Sequence, residues 1–330
     1  MSILMPEREA VAAESLVHLD VAFADYDRHR PILDGRVKAR DLDITPNTAP
    51  IGEFCTRPVY EDFDAAEMSF SWYVAARDRG EPVIALPIFP LRMAVWGYVF
   101  VRSDSEITKP SDLAGKRIGS QGYRYTVNLW LRGIFKEHYG FSPADATWVT
   151  AEAEGAGYVV PSGIGVEVHE GVRPEDNLRN GVVDAIWCPS VPAEFRSGQP
   201  WIRRMFPDAQ AEMQRFVRST GIMPITHVMV MKKELAEQQP WIAASLCDAF
   251  LEAQAVADEV YQTDPKLMSL LDSVFILEQQ QAAYGSSPYA HGLRANRAIV
   301  ETFVRYAHDQ GYISRQPALE ELFAGNTLDF

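Results

Sequence analysis

Hydrophobic positions along the chain fall into two kinds of run. Short, nearly continuous apolar stretches occur at 17–23, 83–89, 94–101, 116–120, 146–150, 183–189 and 226–231, and they predict strands covered on both faces. Between them, apolar residues recur every three or four positions. Val127, Trp130, Leu131 and Ile134 mark a helix that Thr126 caps and Gly140 ends. A longer helix starts near Pro240, with Trp241, Ile242, Leu246, Phe250 and Ala253 on one stripe. A last one covers 295–311, burying Ile299, Phe303 and Val304 before Gly311. Strands alternating with helices predict an α/β protein with mainly parallel sheets.

Two stretches break this rhythm. Segment 101–120 runs from a strand through a polar, Pro-containing turn and a short helix into a new strand; segment 219–230 passes through Gly221 and Pro224 into another. Both look like crossings between domains. They imply a discontinuous first lobe, 1–100 with 222–330, and an inserted second lobe, 101–221. Clefts between such lobes favour ligands.

Composition narrows the possible partners. At 330 residues and 47% hydrophobic, the chain can bury more than one core. Its net charge of −14 argues against a general nucleic-acid or anionic-membrane surface, so an anionic ligand needs a local basic pocket. No apolar run approaches the ~20 residues of a membrane helix. The first residues carry Glu7, Glu9 and Glu14 and no basic leader, which predicts a cytoplasmic protein. Cys55, Cys188 and Cys247 have neither disulfide nor zinc-ligand spacing and are expected to be buried free thiols. Self-association is left open.

An ordered set of motifs carries a family resemblance from about residue 20 to the C-terminus. It comprises 25-DYDR-28 with Gly35-Arg36-Val37, 67-EMSFSWY-73, 87-PIFP-90, 112-DLAGKRIG-119, 224-PITHVMV-230, 240-PWIAASLCDAF-250, 296-NR-297, 305-RYAHDQG-311 and 320-EELFAGNTL-328. Together they resemble the 4,5-dihydroxyphthalate decarboxylase family. That resemblance implies an α/β, two-lobed, type II periplasmic-binding-protein-like fold with a central ligand cleft. It also implies decarboxylation of a small aromatic dicarboxylate to protocatechuate and carbon dioxide, without an organic cofactor. One element departs from the family: a compact Trp-Pro-Tyr-Gly stretch is replaced by 287-SPYAHGLRANR-297, with an apparent insertion and His291, here expected on a surface loop.

The reaction sets the residue types to seek: a cation clamp for a carboxylate, a base near the phenol and an acid over the ring carbon. Arginine's planar fork suits the clamp, and Arg28, Arg92 and Arg124 are the candidates. Arg28 ends the first strand and Arg92 lies between apolar strands. Arg124 sits in a Gly-containing turn, 119-GSQGYRYT-126, whose helix N-terminus attracts anions. Ser69, Ser71 and Thr126 are candidate hydroxyl donors, or simple helix caps; Tyr123 and Trp187 are candidate walls for a ring, or core. His227, in an apolar strand beside the second crossing, is the expected proton-transfer residue, with Asp25 and Asp27 as further candidates for the base. Cys188 lacks any triad partner and reads as filler. A divalent metal on the catechol is the chemical alternative, although the seven histidines show no ligand spacing. Two other readings share the scaffold: a binding protein or sensor for an aromatic carboxylate, and an enzyme similar to the menaquinone-pathway dehydratases.

Overall fold

The computed structural model describes residues 16–54, 58–154, 158–285 and 287–330. Its strands, in chain order, are β1 (Val17–Phe23), β2 (Leu42–Thr48), β3 (Ala65–Ser69), β4 (Val83–Leu86), β5 (Val99–Arg102), β6 (Arg117–Ser120), β7 (Thr147–Thr150), β8 (Gly165–Val168), β9 (Ala185–Trp187), β10 (Ile202–Arg204) and β11 (His227–Lys232). Among the described residues they form two sheets, ordered β2-β1-β3-β11-β4 and β10-β5-β9-β6-β7-β8. The chain leaves the first sheet after β4 and returns to it as β11.

All seven apolar runs contain a strand or part of one. The run at 94–101 begins as a single 3-10 turn, Val95–Tyr98, before β5. In the first sheet β1 is parallel to β2 and β3, while β11 runs antiparallel between β3 and β4. A returning strand of opposite direction thus lies inside the sheet, beside the central β3.

Helix Pro240–Thr263 packs on the first sheet through Ile242, Leu246, Phe250 and Ala253, as their spacing predicts, with Cys247 also buried. Trp241 was expected on that stripe but is 39% exposed: it lies one position before the stripe, at the first turn. Helix Thr126–Tyr139 ends at Gly140, whose φ of 67° is the left-handed cap that a Cβ disfavours. Its Trp130 indole donates to the Ile225 carbonyl at 2.7 Å, pinning the second lobe to the start of β11. Helix Leu293–Asp309 buries Ile299, Phe303 and Val304. Cys188 is buried and its thiol pKa is pushed up by desolvation, consistent with a filler role; Cys55 lies outside the described residues.

Candidate functional site

The β3/β11 seam builds the centre of the site. In this antiparallel pair Ser69 lies opposite His227 and Glu67 opposite Met229. Directly opposed residues share a face, as do residues two apart, so Glu67, Ser69 and His227 project to the same side. Glu67 is completely buried. It accepts from the Ala24 backbone N–H at 3.0 Å, the Tyr26 hydroxyl at 2.7 Å and His227 Nδ1 at 2.5 Å. Burial pushes the Glu67 carboxyl up, but the His227 bond and charge, with the Ala24 and Tyr26 bonds, more than offset it and leave it below its ordinary value. An ionised carboxylate only accepts, so the His227 Nδ1 carries the proton in this bond. Nε2 is then the ring nitrogen that does not face Glu67.

Two helix N-termini meet beside this pair, one from each lobe. Ser69 precedes helix Phe70–Asp78, and Thr126 opens the 126–139 helix. Thr126 Oγ1 lies 2.8 Å from the Ser69 hydroxyl and 2.8 Å from the Ser71 hydroxyl, and accepts from the Ser71 N–H at 3.1 Å. The Ser71 hydroxyl also donates to the Arg124 carbonyl at 3.1 Å. These buried hydroxyls join the lobes directly.

The turn before the 126–139 helix already holds an internal anion. Glu154 accepts the backbone N–H groups of Tyr123 and Arg124 at 2.5 and 3.2 Å. Its oxygen also stands 3.8 Å from the buried Arg124 Nε, while the guanidinium lies 3.9 Å from the Trp72 ring centroid. Burial raises the Glu154 carboxyl and lowers the Arg124 guanidinium. The anion expected at this turn from a ligand is therefore supplied by the chain itself.

Arg28 and Arg92 stand on the other flank. The Arg28 guanidinium is sandwiched between Tyr26 and Tyr289, 4.3 and 4.1 Å from their ring centroids, and donates to the Pro90 carbonyl. Two residues further on, Arg92 pairs with Ile225, and the Leu91 carbonyl accepts the His227 N–H at 3.3 Å. Arg92 is 7% exposed and donates to the carbonyls of Met223 and Ala290 and to Asn296 Oδ1 at 2.5 Å. Burial pushes its pKa down to about 10, so it remains a cation at neutral pH, with neutral atoms as its hydrogen-bond acceptors. A cavity of about 920 Å³ is lined by Arg92, Tyr289, Arg203 and Arg204 among others. Its lining does not include His227, Ser69 or Thr126.

Comparison with known proteins places this arrangement. The 4,5-dihydroxyphthalate decarboxylase of Comamonas testosteroni is 31% identical over 325 residues, covering 96% of this chain and 98% of that protein. The chain belongs to the 4,5-dihydroxyphthalate decarboxylase family. The Pseudomonas putida protein of the same name is 31% identical over 221 residues, 64% of this chain and 85% of its own. No family model matches the sequence. Among solved structures, the putative sulfonate-transport protein SsuA of Methylobacillus flagellatus has a TM-score of 0.57 at 15% identity, covering 96% of this chain and 94% of its own. The aliphatic sulphonate binding protein SsuA of Escherichia coli has 0.54 at 14% identity, covering 93% and 91%. The fold is thus the two-lobed, type II periplasmic-binding-protein-like α/β architecture.

For this member of the decarboxylase family, the structure brings together Arg28, Arg92, His227, Ser69, Ser71, Thr126 and Arg124, and puts the other sequence candidates elsewhere. Asp25 is held by Arg30 at 2.9 Å, and its side chain is 53% exposed. Asp27 is equally exposed and accepts from the Arg28 backbone N–H at 2.8 Å. Tyr26 between them is extended and turns inward to Glu67, so its two neighbours project outward. Trp187 is wholly buried against Phe135 and Trp148, and the Tyr123 ring meets Trp148 edge-on and lies against the Arg132 guanidinium; both belong to the main hydrophobic core. His291 is not on a surface loop. It is 6% exposed, and its Nδ1 accepts the Phe89 N–H at 3.1 Å. Among the described residues no group of three or more His, Cys, Asp or Glu could hold a metal ion, and no helix is long and apolar enough to cross a membrane.

Sequence reasoning missed Glu67 as a site residue, although it opens the 67-EMSFSWY-73 motif. It missed His29 as well. That imidazole is fully buried against Phe23 and Phe250, 6.1 Å from His291 between ring centroids, and neither of its nitrogens has a hydrogen-bond partner.

Proposed function

We propose that this protein decarboxylates a hydroxylated phthalate, 4,5-dihydroxyphthalate giving protocatechuate and carbon dioxide, with His227 as the proton-transfer residue. The observation that carries the reading is the buried His227–Glu67 pair, set between an interlobe hydroxyl cluster and two buried arginines. Each ring hydroxyl of the substrate is para to a carboxylate. Ionising that hydroxyl, whose proton passes to solvent, pushes electron density onto the carboxylate-bearing carbon, which takes a proton from Nε2 of the doubly protonated His227 ring. The carbon–carbon bond then breaks, carbon dioxide leaves, its bonding pair restores the aromatic ring as a phenolate, and the phenolate takes a proton back from solvent. Solvent reprotonates the imidazole. Glu67 acts through His227: it holds the ring orientation and stabilises the imidazolium.

Arg28 and Arg92 are the proposed carboxylate clamp, because a buried cation bonded to carbonyls can still be neutralised by an incoming anion. Ser69, Ser71 and Thr126 would orient substrate oxygens, and Arg124 would support the Ser71 side through its backbone carbonyl. The base for the phenol is not assigned to Asp25 or Asp27, which surface ion pairs and backbone bonds engage. The reading needs no organic cofactor, and the cytoplasmic location is part of the same proposal.

The test is to incubate EDTA-treated protein with 4,5-dihydroxyphthalate and follow protocatechuate and carbon dioxide. Turnover that vanishes in His227→Ala supports the assignment. Substrate that binds and returns unchanged, with no rescue by added divalent metal, would instead make this a binding protein.

A further inference from the structure

A second cavity, of about 420 Å³, lies between the 126–139 and 293–309 helices, and its lining contains none of the residues of the interlobe site. Apolar atoms of Pro143, Pro161 and Ile164 contribute to its walls, and Lys136 and Arg305 stand at its rim. Arg132 borders it and is completely buried. Its Nε donates to Gln310 Oε1 at 2.8 Å and its Nη2 to the Tyr312 hydroxyl at 2.6 Å, whereas Nη1 has no hydrogen-bond partner among the described residues. The guanidinium lies 3.7 Å from the Tyr123 ring centroid. A fully buried cation ordinarily faces a carboxylate, because desolvation is costly without one. Here, among the described residues, its hydrogen-bond partners are neutral. The lining as a whole carries three cations, Arg132, Lys136 and Arg305, against two carboxylates, Glu137 and Asp309, and Glu137 is already taken by Arg305 at 2.8 Å and by the Tyr306 hydroxyl.

We propose that this cavity is a binding site for a small organic monocarboxylate with a flat apolar body, its carboxylate neutralising Arg132 and its body packing on the prolines and Ile164. The volume suits a single-ring acid, since ligand pockets run from about 300 Å³ upward. The proposal does not depend on the decarboxylase reading. It concerns a different face of the 126–139 helix and a ligand that need not react.

The probe is 4-bromobenzoate, whose bromine is located by anomalous scattering in a soaked crystal and whose affinity is measured by calorimetry. The expected result is bromine in this cavity with the carboxylate toward Arg132. Lys136→Glu, an exposed substitution that leaves the core intact, should weaken binding about fivefold, as reversing one rim charge would. Because Arg132→Met exposes the fold to a core change, it is not relied upon. Bromine found only between the lobes, or nowhere, would overturn the proposal. So would an affinity that Lys136→Glu leaves unchanged.

Discussion

His291 gives a direct test of how the divergent 287–297 loop is held. Burial, with Arg92 and Arg28 nearby, pushes its pKa down to about 3, against about 6.5 in the unfolded chain. A depressed histidine stays neutral in the fold while the unfolded chain takes up protons. Its contribution is therefore complete above about pH 6.5 and is lost as pH falls toward 3. Each pH unit in that window costs about 1.4 kcal/mol, so between pH 7.5 and pH 5 this one group removes roughly 2 kcal/mol. Asparagine can keep an acceptor near the position of Nδ1 for the Phe89 N–H but cannot titrate. The His291→Asn protein should lose about 1–2 kcal/mol at pH 7.5 from the smaller side chain. It should then recover relative to wild type by roughly 2 kcal/mol at pH 5. Urea unfolding at half-unit pH steps measures both curves; the His18–Asp43 pair, whose histidine is shifted the other way, is common to both proteins and cancels in the difference. Parallel curves would mean that His291 is not a buried neutral imidazole, and the account of this loop would fail.

Three further outcomes follow from the same geometry. Glu67→Gln leaves a hydrogen-bonding side chain but removes the charge beneath His227, so kcat should fall on the order of 10²–10⁴-fold with KM little changed; an unaltered kcat, in steady-state assays on folded protein, would remove Glu67 from the mechanism. Arg28→Ala should raise KM or lower kcat/KM at least about 100-fold while costing about 1–2 kcal/mol of stability, since two aromatic contacts, a carbonyl bond and a 3.4 Å pairing with the half-exposed Asp27 are lost; normal turnover would withdraw its clamp role. Gly133→Ala should destabilise by at least about 1–3 kcal/mol in thermal unfolding, because the new Cβ would sit 2.2 Å from the Tyr306 ring where the two long helices touch; unchanged stability would show that this contact relaxes freely.

The strands with unbroken apolar runs were legible in the sequence; β2, β3, β8 and the three-residue β10, Ile-Arg-Arg, lack such a run. β3 reads Ala-Ala-Glu-Met-Ser, and its central glutamate interrupts the pattern that would have announced it. Glu67 and β3 were therefore overlooked together, and the His227 contact spans 160 positions, a separation that no local periodicity reveals. β2 is an edge strand with mostly exposed polar residues and Pro46, and β8 is also largely exposed, so neither has the core-facing alternation that marks a strand. The charged cluster 25-DYDR-28 was correctly drawn to attention by its residue types. Which of its side chains turns inward depends on backbone direction after β1: Arg28, sought as a cation clamp, is buried, whereas Tyr26 and not Asp25 or Asp27 turns inward to Glu67. Arg92 drew attention because a cation between apolar strands needs partners, and its burial against carbonyls and Asn296 is what that requirement predicts.

The hydroxyl cluster of Ser69, Ser71 and Thr126 has a calorimetric consequence. These groups already bond one another across the two lobes. Under the proposed function, an arriving substrate would exchange with bonds that exist, so its hydrogen bonds at this point would largely replace old ones and yield little net heat. Association there would draw instead on neutralised charge and on apolar surface leaving water, with a modest enthalpy near room temperature and a negative heat-capacity change.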